Sequence, residues 1–460
     1  MKQNELQPTL DSIFQTYKDD PIGRRNDVHS FVRMLNQLDA PCSIMLNGAW
    51  GSGKTFFVKQ AQLVLDVLNP NSEYFDSNIA KSVVDTWSAD KENANLDIEP
   101  FVTVYYDAWE HDDEEDPILS IVYEIINGSN GENIPNKKDI CNIVASIADA
   151  VLSTNISGAL QELRGKNDLD GIKNKLILRD QIKEFFSSLL PEKGNKLVIF
   201  VDELDRCSPT YAVKLLERIK HYFSLDNVII VFSINRIELQ KTIKKHYGDE
   251  FESARYLDRF FQLRLGMPSI DIQKYATLVG LSEYRNVREN VCYEMINRTN
   301  MSMREIVHYL AYSKMAANKY TDKSSRDRSL LFDQGYANDI AFCIIVPIML
   351  ALSITNPDEY LLFRDGKSSI WLEDILESNS MDGMADLLLD PTESYIDTNG
   401  FQTVSRKEKA KIVYELILGH KRKDEYKQGI RVGKAFFYYG IKQRIIDAVN
   451  LFSQYTDFSV

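Results

Sequence analysis

The chain has 460 residues, with 54 Lys and Arg against 67 Asp and Glu and a formal net charge of −13. At roughly 100–200 residues per domain this length predicts two or three domains, with cores large enough to need neither metal nor disulfides. The composition, 44% apolar and 26% charged, excludes collagen-like, low-complexity and disulfide-scaffold classes; the acidic balance argues against a surface coated in nucleic acid and leaves a local basic patch open.

The five cysteines, Cys42, Cys141, Cys207, Cys292 and Cys343, are odd in number, widely spaced and lack zinc spacing. Together with a polar start, Met1 to Glu5, they predict a cytoplasmic protein. Residues 1–40 read as helical: Phe14, Tyr17, Val28, Phe31, Val32, Leu35 and Leu38 keep helical spacing, broken at Pro21-Ile22-Gly23. Cys42–Leu46 reads as a buried strand. A helix follows from about Thr55 to Leu68, with Phe57, Ala61, Val64 and Leu68 on one face. Residues 69–99 are polar and poorly patterned. Phe101–Tyr106, Lys196–Val201 and Asn227–Ser233 read as strands, and Phe260–Leu265 as a candidate fifth. Strands thus alternate with helices up to residue 265, which predicts an α/β fold with a mainly parallel sheet. After Gly266-Met267-Pro268 the pattern is helical, with almost no strand signal.

Ile340–Ile354 is uncharged and strongly apolar. Its apolar part spans about 22 Å as a helix, short of the roughly 30 Å hydrocarbon core. Pro347 interrupts it and no basic cluster adjoins it. A buried core helix is expected there rather than membrane contact.

Gly48-Ala49-Trp50-Gly51-Ser52-Gly53-Lys54-Thr55 fits G-x-x-x-x-G-K-[ST] between a predicted strand and a predicted helix. The glycines let the backbone wrap phosphate oxygens, and the following helix adds its positive end. Lys54 is expected to reach the β- and γ-phosphates, and the Thr55 hydroxyl to ligate Mg2+. Phe56 completes the candidate nucleotide set. Asp202 ends the apolar run Leu197–Val201, where a carboxylate can hold the magnesium shell; Glu203 follows, placed to orient the attacking water. Asn136-Lys137-Lys138-Asp139 fits a guanine-reading N-K-x-D, but it precedes Asp202 and sits in a polar loop, so ATP is the expected nucleotide. The acidic run Asp112–Asp116 reads as a solvated loop rather than a metal site.

Three of these segments, Gly48–Thr55, Tyr106-Asp107-Ala108-Trp109-Glu110 and Asp202-Glu203-Leu204-Asp205-Arg206-Cys207, resemble the KAP family of P-loop NTPases. Ser233-Ile234-Asn235-Arg236 and Tyr256–Gln262 resemble its later blocks, and the resemblance covers roughly residues 25–315. It implies a doubly wound P-loop fold with the catalytic strand next but one to the phosphate-loop strand. It also implies an ATPase whose hydrolysis drives conformational change, in bacteria associated with phage or plasmid exclusion and in animals with membrane signalling scaffolds. Members commonly insert transmembrane helices between the Walker motifs; here that interval holds only Ile140–Leu160, interrupted by Asn142, Asp149 and Asn155, so the chain resembles a soluble member. Members often carry Asp where Glu203 stands.

The same resemblance suggests further roles. Asn235 looks like a polar sensor holding the attacking water. Arg259 resembles an arginine finger inserted by a neighbouring subunit, with Arg255 as the competing candidate. Arg304 looks like a sensor arginine on a helical lid. The expected assembly is a homo-oligomer with shared active sites, signalling to an effector protein. Residues 405–444 carry twelve Lys and Arg against four acids, a local excess of +8, with Phe436, Phe437, Tyr438 and Tyr439 among them. Such a stretch is either a solvated basic face or a grip on nucleic acid. The expected organisation is an N-terminal helical segment (1–40) and a P-loop α/β domain (41–268) with inserted helices over about 110–195. A helical lid (269–325) and an all-α C-terminal domain (326–460) complete it.

Overall fold

The computed structural model describes residues 7–72, 77–93, 96–114, 116–128, 142–149, 151, 168–223, 225–281, 286–321, 339–381, 395–397, 400–402, 405–419, 429–432, 435–438 and 441–450. Five strands form one wholly parallel sheet: β1 (Cys42–Asn47), β2 (Phe101–Asp107), β3 (Lys196–Asp202), β4 (Val228–Ile234) and β5 (Leu263–Gly266). Their order is β2-β3-β4-β1-β5, so β3 lies next but one to β1 as the resemblance implies.

The central strands β3 and β4 are apolar on both faces because both are covered. Leu197, Ile199 and Val201 join one core cluster, and Val198 and Phe200 the other. The first cluster is closed by α5 (Pro117–Gly128), α6 (Asp168–Lys193), α7 (Pro209–Tyr222) and α8 (Arg236–Tyr247). The second is closed by α1 (Leu10–Asp19), α2 (Arg25–Gln37), α3 (Lys54–Leu68) and α4 (Ser77–Ala89). The short α9 (Ser253–Leu257) precedes β5. Register pairs Asp202 with Ser233 and Asn47 with Ile234, which brings the carboxyl ends of β3, β4 and β1 to one edge. Ligands bind at that edge in open α/β sheets.

Two local expectations change. Helix α4 occupies part of the stretch read as unpatterned; Val83 and Trp87, one turn apart, are buried. Strand β5 begins only at Leu263, because Phe260 and Phe261 belong to the turn before it and Phe261 packs on Phe232. Of Ile140–Leu160, only residues 142–149 and 151 are described, and the Asn136–Asp139 tetrapeptide lies outside the described residues.

The chain divides after Ile270, with Leu6–Ile270 as one unit and Asp271–Val460 as the other. The second unit contains α10 (Ile272–Leu278), α11 (Val287–Thr299), α12 (Met303–Thr321) and α13 (Val346–Thr355), the last entered through a π-helical turn over Asp339–Ile345. Both α11 and α12 pack on α13, so the segments expected as lid and C-terminal domain share one core. Val346–Leu352 is buried all round, as a central core helix should be. The wide π turn before Pro347 accommodates its missing N–H. No helix among the described residues is long and apolar enough to cross a membrane.

The region expected to be all-α also holds two antiparallel hairpins, Tyr395–Asp397 with Gly400–Gln402 and Gly429–Val432 with Ala435–Tyr438. Phe436, Phe437 and Tyr438 are therefore strand residues. Strands of three or four residues are too short to show a period of two. Of the basic stretch, Arg406, Lys407, Lys409 and Lys411 lie on the helix Arg406–Ile417, whose Ala410, Val413, Tyr414 and Ile417 are buried. Lys421, Arg422, Lys423, Lys427 and Lys434 lie outside the described residues.

Candidate nucleotide-binding site

The loop from Gly48 to Gly53 leaves β1 at the carboxyl edge and enters α3 at Lys54. Gly51 and Gly53 take left-handed φ values of 73° and 82°, which side-chain-bearing residues rarely adopt. At Gly48 a Cβ would stand 2.5 Å from Met267 Cγ and 2.6 Å from Ser52 Oγ, so any side chain there would force both to shift. The buried Lys54 ammonium donates to the carbonyls of Gly48 and Ala49 at 2.9 and 3.2 Å, arched over its own loop. Phe56 is half-buried and packs against the second core cluster.

Thr55, in the first turn of α3, donates its hydroxyl to Asp202 Oδ2 at 2.7 Å. Asp202 is fully buried and also accepts from the Tyr105 hydroxyl at 3.1 Å. A hydroxyl and a carboxylate on adjacent elements are hard oxygen donors of the kind Mg2+ selects. Ser52 Oγ, inside the loop, and Ser233 Oγ, in register with Asp202, are buried without a hydrogen-bond partner among the described residues. Orphaned donors in a glycine-wrapped cradle fit a triphosphate with its magnesium.

Glu203 follows in a left-handed conformation with φ 59°. Burial, reinforced by the neighbouring Asp202, pushes its carboxyl up to about 7, against the pull of Arg206. A carboxyl poised there can take a proton from water near neutral pH. Its Oε2 pairs with Arg206 Nε at 2.5 Å, and the Arg206 guanidinium lies 5.4 Å from the Trp109 ring centroid. On the loop, Trp50 Nε1 donates to Asp205 Oδ2 at 2.6 Å, tying the phosphate loop to the segment after Glu203. Trp50 and Trp109 are both exposed beside the site.

The remaining sequence candidates are more dispersed. Asn235 follows β4 at the same edge, but its Oδ1 caps α8, accepting from Ile237 and Glu238 N–H. Only its amide nitrogen is left to meet a water. Arg259 is exposed at the opposite, amino edge, just before β5. It lines a cavity of about 240 Å³ with Pro41, Phe260 and Gln262. No hydrogen bond or ion pair among the described residues engages its guanidinium, whereas Arg255 pairs with Glu252 at 3.2 Å. Arg304 is exposed in the first turn of α12, in the other unit. Sequence reading missed Tyr105, Ser233 and Arg24, whose guanidinium donates to Ser52 O at 2.6 Å. Tyr105 alternates with Val104 and Tyr106 along β2, so its facing could have been read; nothing local marks Arg24.

A phosphate loop on one strand, with an acidic pair ending the strand one place removed, defines a P-loop NTPase domain. The sequence profile of the KAP family P-loop domain matches residues 24–312, and the chain belongs to that family. No curated protein matches the chain. Among solved structures, C. elegans PCH-2 is similar at 11% identity and a TM-score of 0.24, over 70% of this chain and 66% of that one. The chain thus spans just under two thirds of that protein's length. Drosophila ORC bound to DNA is similar at 11% identity and a TM-score of 0.26, over 96% of this chain and 89% of that one. Neither likeness is close enough to bear on function.

Proposed function

We propose that the protein is an ATP-hydrolysing molecular switch. The observation that carries this reading is the Thr55–Asp202 hydrogen bond beside the phosphate loop, with Glu203 next in the chain. Backbone N–H groups of Gly48–Thr55 and the Lys54 ammonium would hold the phosphates. Thr55 and Asp202 would hold Mg2+, which when bound offsets the charge of the phosphate oxygens. Glu203 would orient the attacking water and accept its proton, and the Asn235 amide would steady that water. Arg259 would reach the γ-phosphate of a neighbouring copy.

ATP is preferred to GTP because the guanine-type tetrapeptide precedes Asp202 instead of following it. From the family resemblance, the nucleotide state is relayed to an effector protein, in a role such as anti-phage defence. Removing the carboxylate while keeping the side chain's shape tests the chemistry. Glu203→Gln should lower ATP turnover by about 10²–10⁴-fold and leave Mg·ATP binding in place. Unchanged turnover in that variant would remove Glu203 from the reaction and favour a nucleotide-gated scaffold.

A further inference from the structure

We propose that Arg24 ties the phosphate loop to the chain's exit from the nucleotide-binding unit, and so passes the nucleotide state to the linker into the C-terminal unit. The inference rests on the reading of Gly48–Thr55 as a phosphate cradle. Arg24 Nη1 donates to Ser52 O at 2.6 Å, and Nη2 donates to Pro268 O at 2.5 Å. One acceptor lies inside the loop. The other lies two residues after β5 and two before Ile270, where the unit ends. A second link runs alongside: Met267 N–H donates to Asn47 O at 2.8 Å, and the Met267 side chain occupies the space above Gly48.

The placement of Arg24 is unusual for a purely structural residue. Its side chain is buried, its Nε has no partner, and among the described residues no carboxylate comes within ion-pair distance, Asp27 acting on it only from farther away. Buried arginines are ordinarily matched by an acid in direct contact; the direct partners of this one are two backbone carbonyls from separate segments. Burial lowers its pKa to about 10, so it stays charged at neutral pH. The guanidinium is planar and holds its terminal nitrogens at a fixed separation. A Ser52 carbonyl that moves when the loop closes on phosphate must carry Pro268 with it or break the fork. The turn Pro21-Ile22-Gly23, with Gly23 at φ 73°, aims Arg24 into this position before α2 begins.

The test uses the full-length chain, magnesium and a non-hydrolysable ATP analogue. Affinity is measured with a fluorescent form of the analogue, and hydrogen exchange is followed at residues 266–272 with and without it. In the unaltered protein, saturating analogue should change exchange there by about threefold or more. Arg24→Met should keep the affinity within about tenfold and lose that change. Arg24→Lys, which can keep one of the two bonds, should show a reduced change. An Arg24→Met protein that binds and still shows the full change overturns the proposal, as does an unaltered protein that binds without any change. Should Arg24→Met not fold, an undiminished change in Arg24→Lys overturns it equally. Absence of binding in the unaltered protein is a different failure: it overturns the nucleotide reading, and the coupling with it.

Discussion

Glu203 is held where a side-chain-bearing residue costs about 1–2 kcal/mol, in left-handed backbone, beside the buried Asp202. The surroundings over-determine that conformation. Arg206 N–H donates to Glu203 O at 3.0 Å, closing a single 3₁₀ turn, and the Arg206 side chain returns to the carboxylate. The bond between Trp50 and Asp205 then pins this turn to the phosphate loop. Asp205 is buried and its Oδ1 already lacks a partner, so Trp50→Phe would leave both carboxylate oxygens unmatched. That substitution should cost about 1–3 kcal/mol in chemical denaturation. A loss under 0.5 kcal/mol would mean the bond is compensated by water.

The elements show where pattern reading succeeds. Strands β1, β3 and β4 were legible as apolar runs because both sheet faces are buried, and the phosphate loop because its chemistry fixes the spacing. Helix α4 was not. Its buried residues, Val83 and Trp87, with Ile79 packed beside them, form a single-file stripe in a polar stretch. What completes its attachment is polar. His29 of α2 is buried, meets Tyr17 OH at 2.8 Å through Nε2, and meets Asp90 Oδ2 at 3.0 Å through Nδ1. Contacts this distant in sequence leave no periodic trace, and the same holds for the Arg24 fork. Burial pushes the His29 pKa below its ordinary 6.5, despite Asp90. The unfolded chain therefore binds the extra proton near that pH, and stability falls as pH drops through 6.5. The melting temperature should decline between pH 7 and 5.5, and less so in His29→Phe. An equal decline in both proteins would assign the effect to other groups.

For the whole molecule, the separation of Lys54 and Arg259 on opposite edges of the sheet matters most. Strands of this length put about 15–20 Å between the two edges. Arg259 can therefore serve a phosphate only in another copy of the chain. Lys54→Ala and Arg259→Ala proteins, each inactive alone, should recover part of the activity when mixed, read as ATP turnover. Mixtures that stay inactive while both variants remain folded would sink the shared site. The net charge of −13 is an average over unlike regions of the sequence, and residues 405–444 carry a local excess of +8.

Of the four tryptophans, Trp371 belongs to the C-terminal unit and Trp87, on the inner face of α4, is buried. The other two, Trp50 and Trp109, are exposed beside the phosphate loop and the turn after Asp202, at 45% and 55%. Indole emission depends on contact with water and on nearby charge. The protein thus carries a built-in optical reporter at the carboxyl edge of its sheet, where a bound nucleotide should shift the colour of the unlabelled chain's ultraviolet fluorescence.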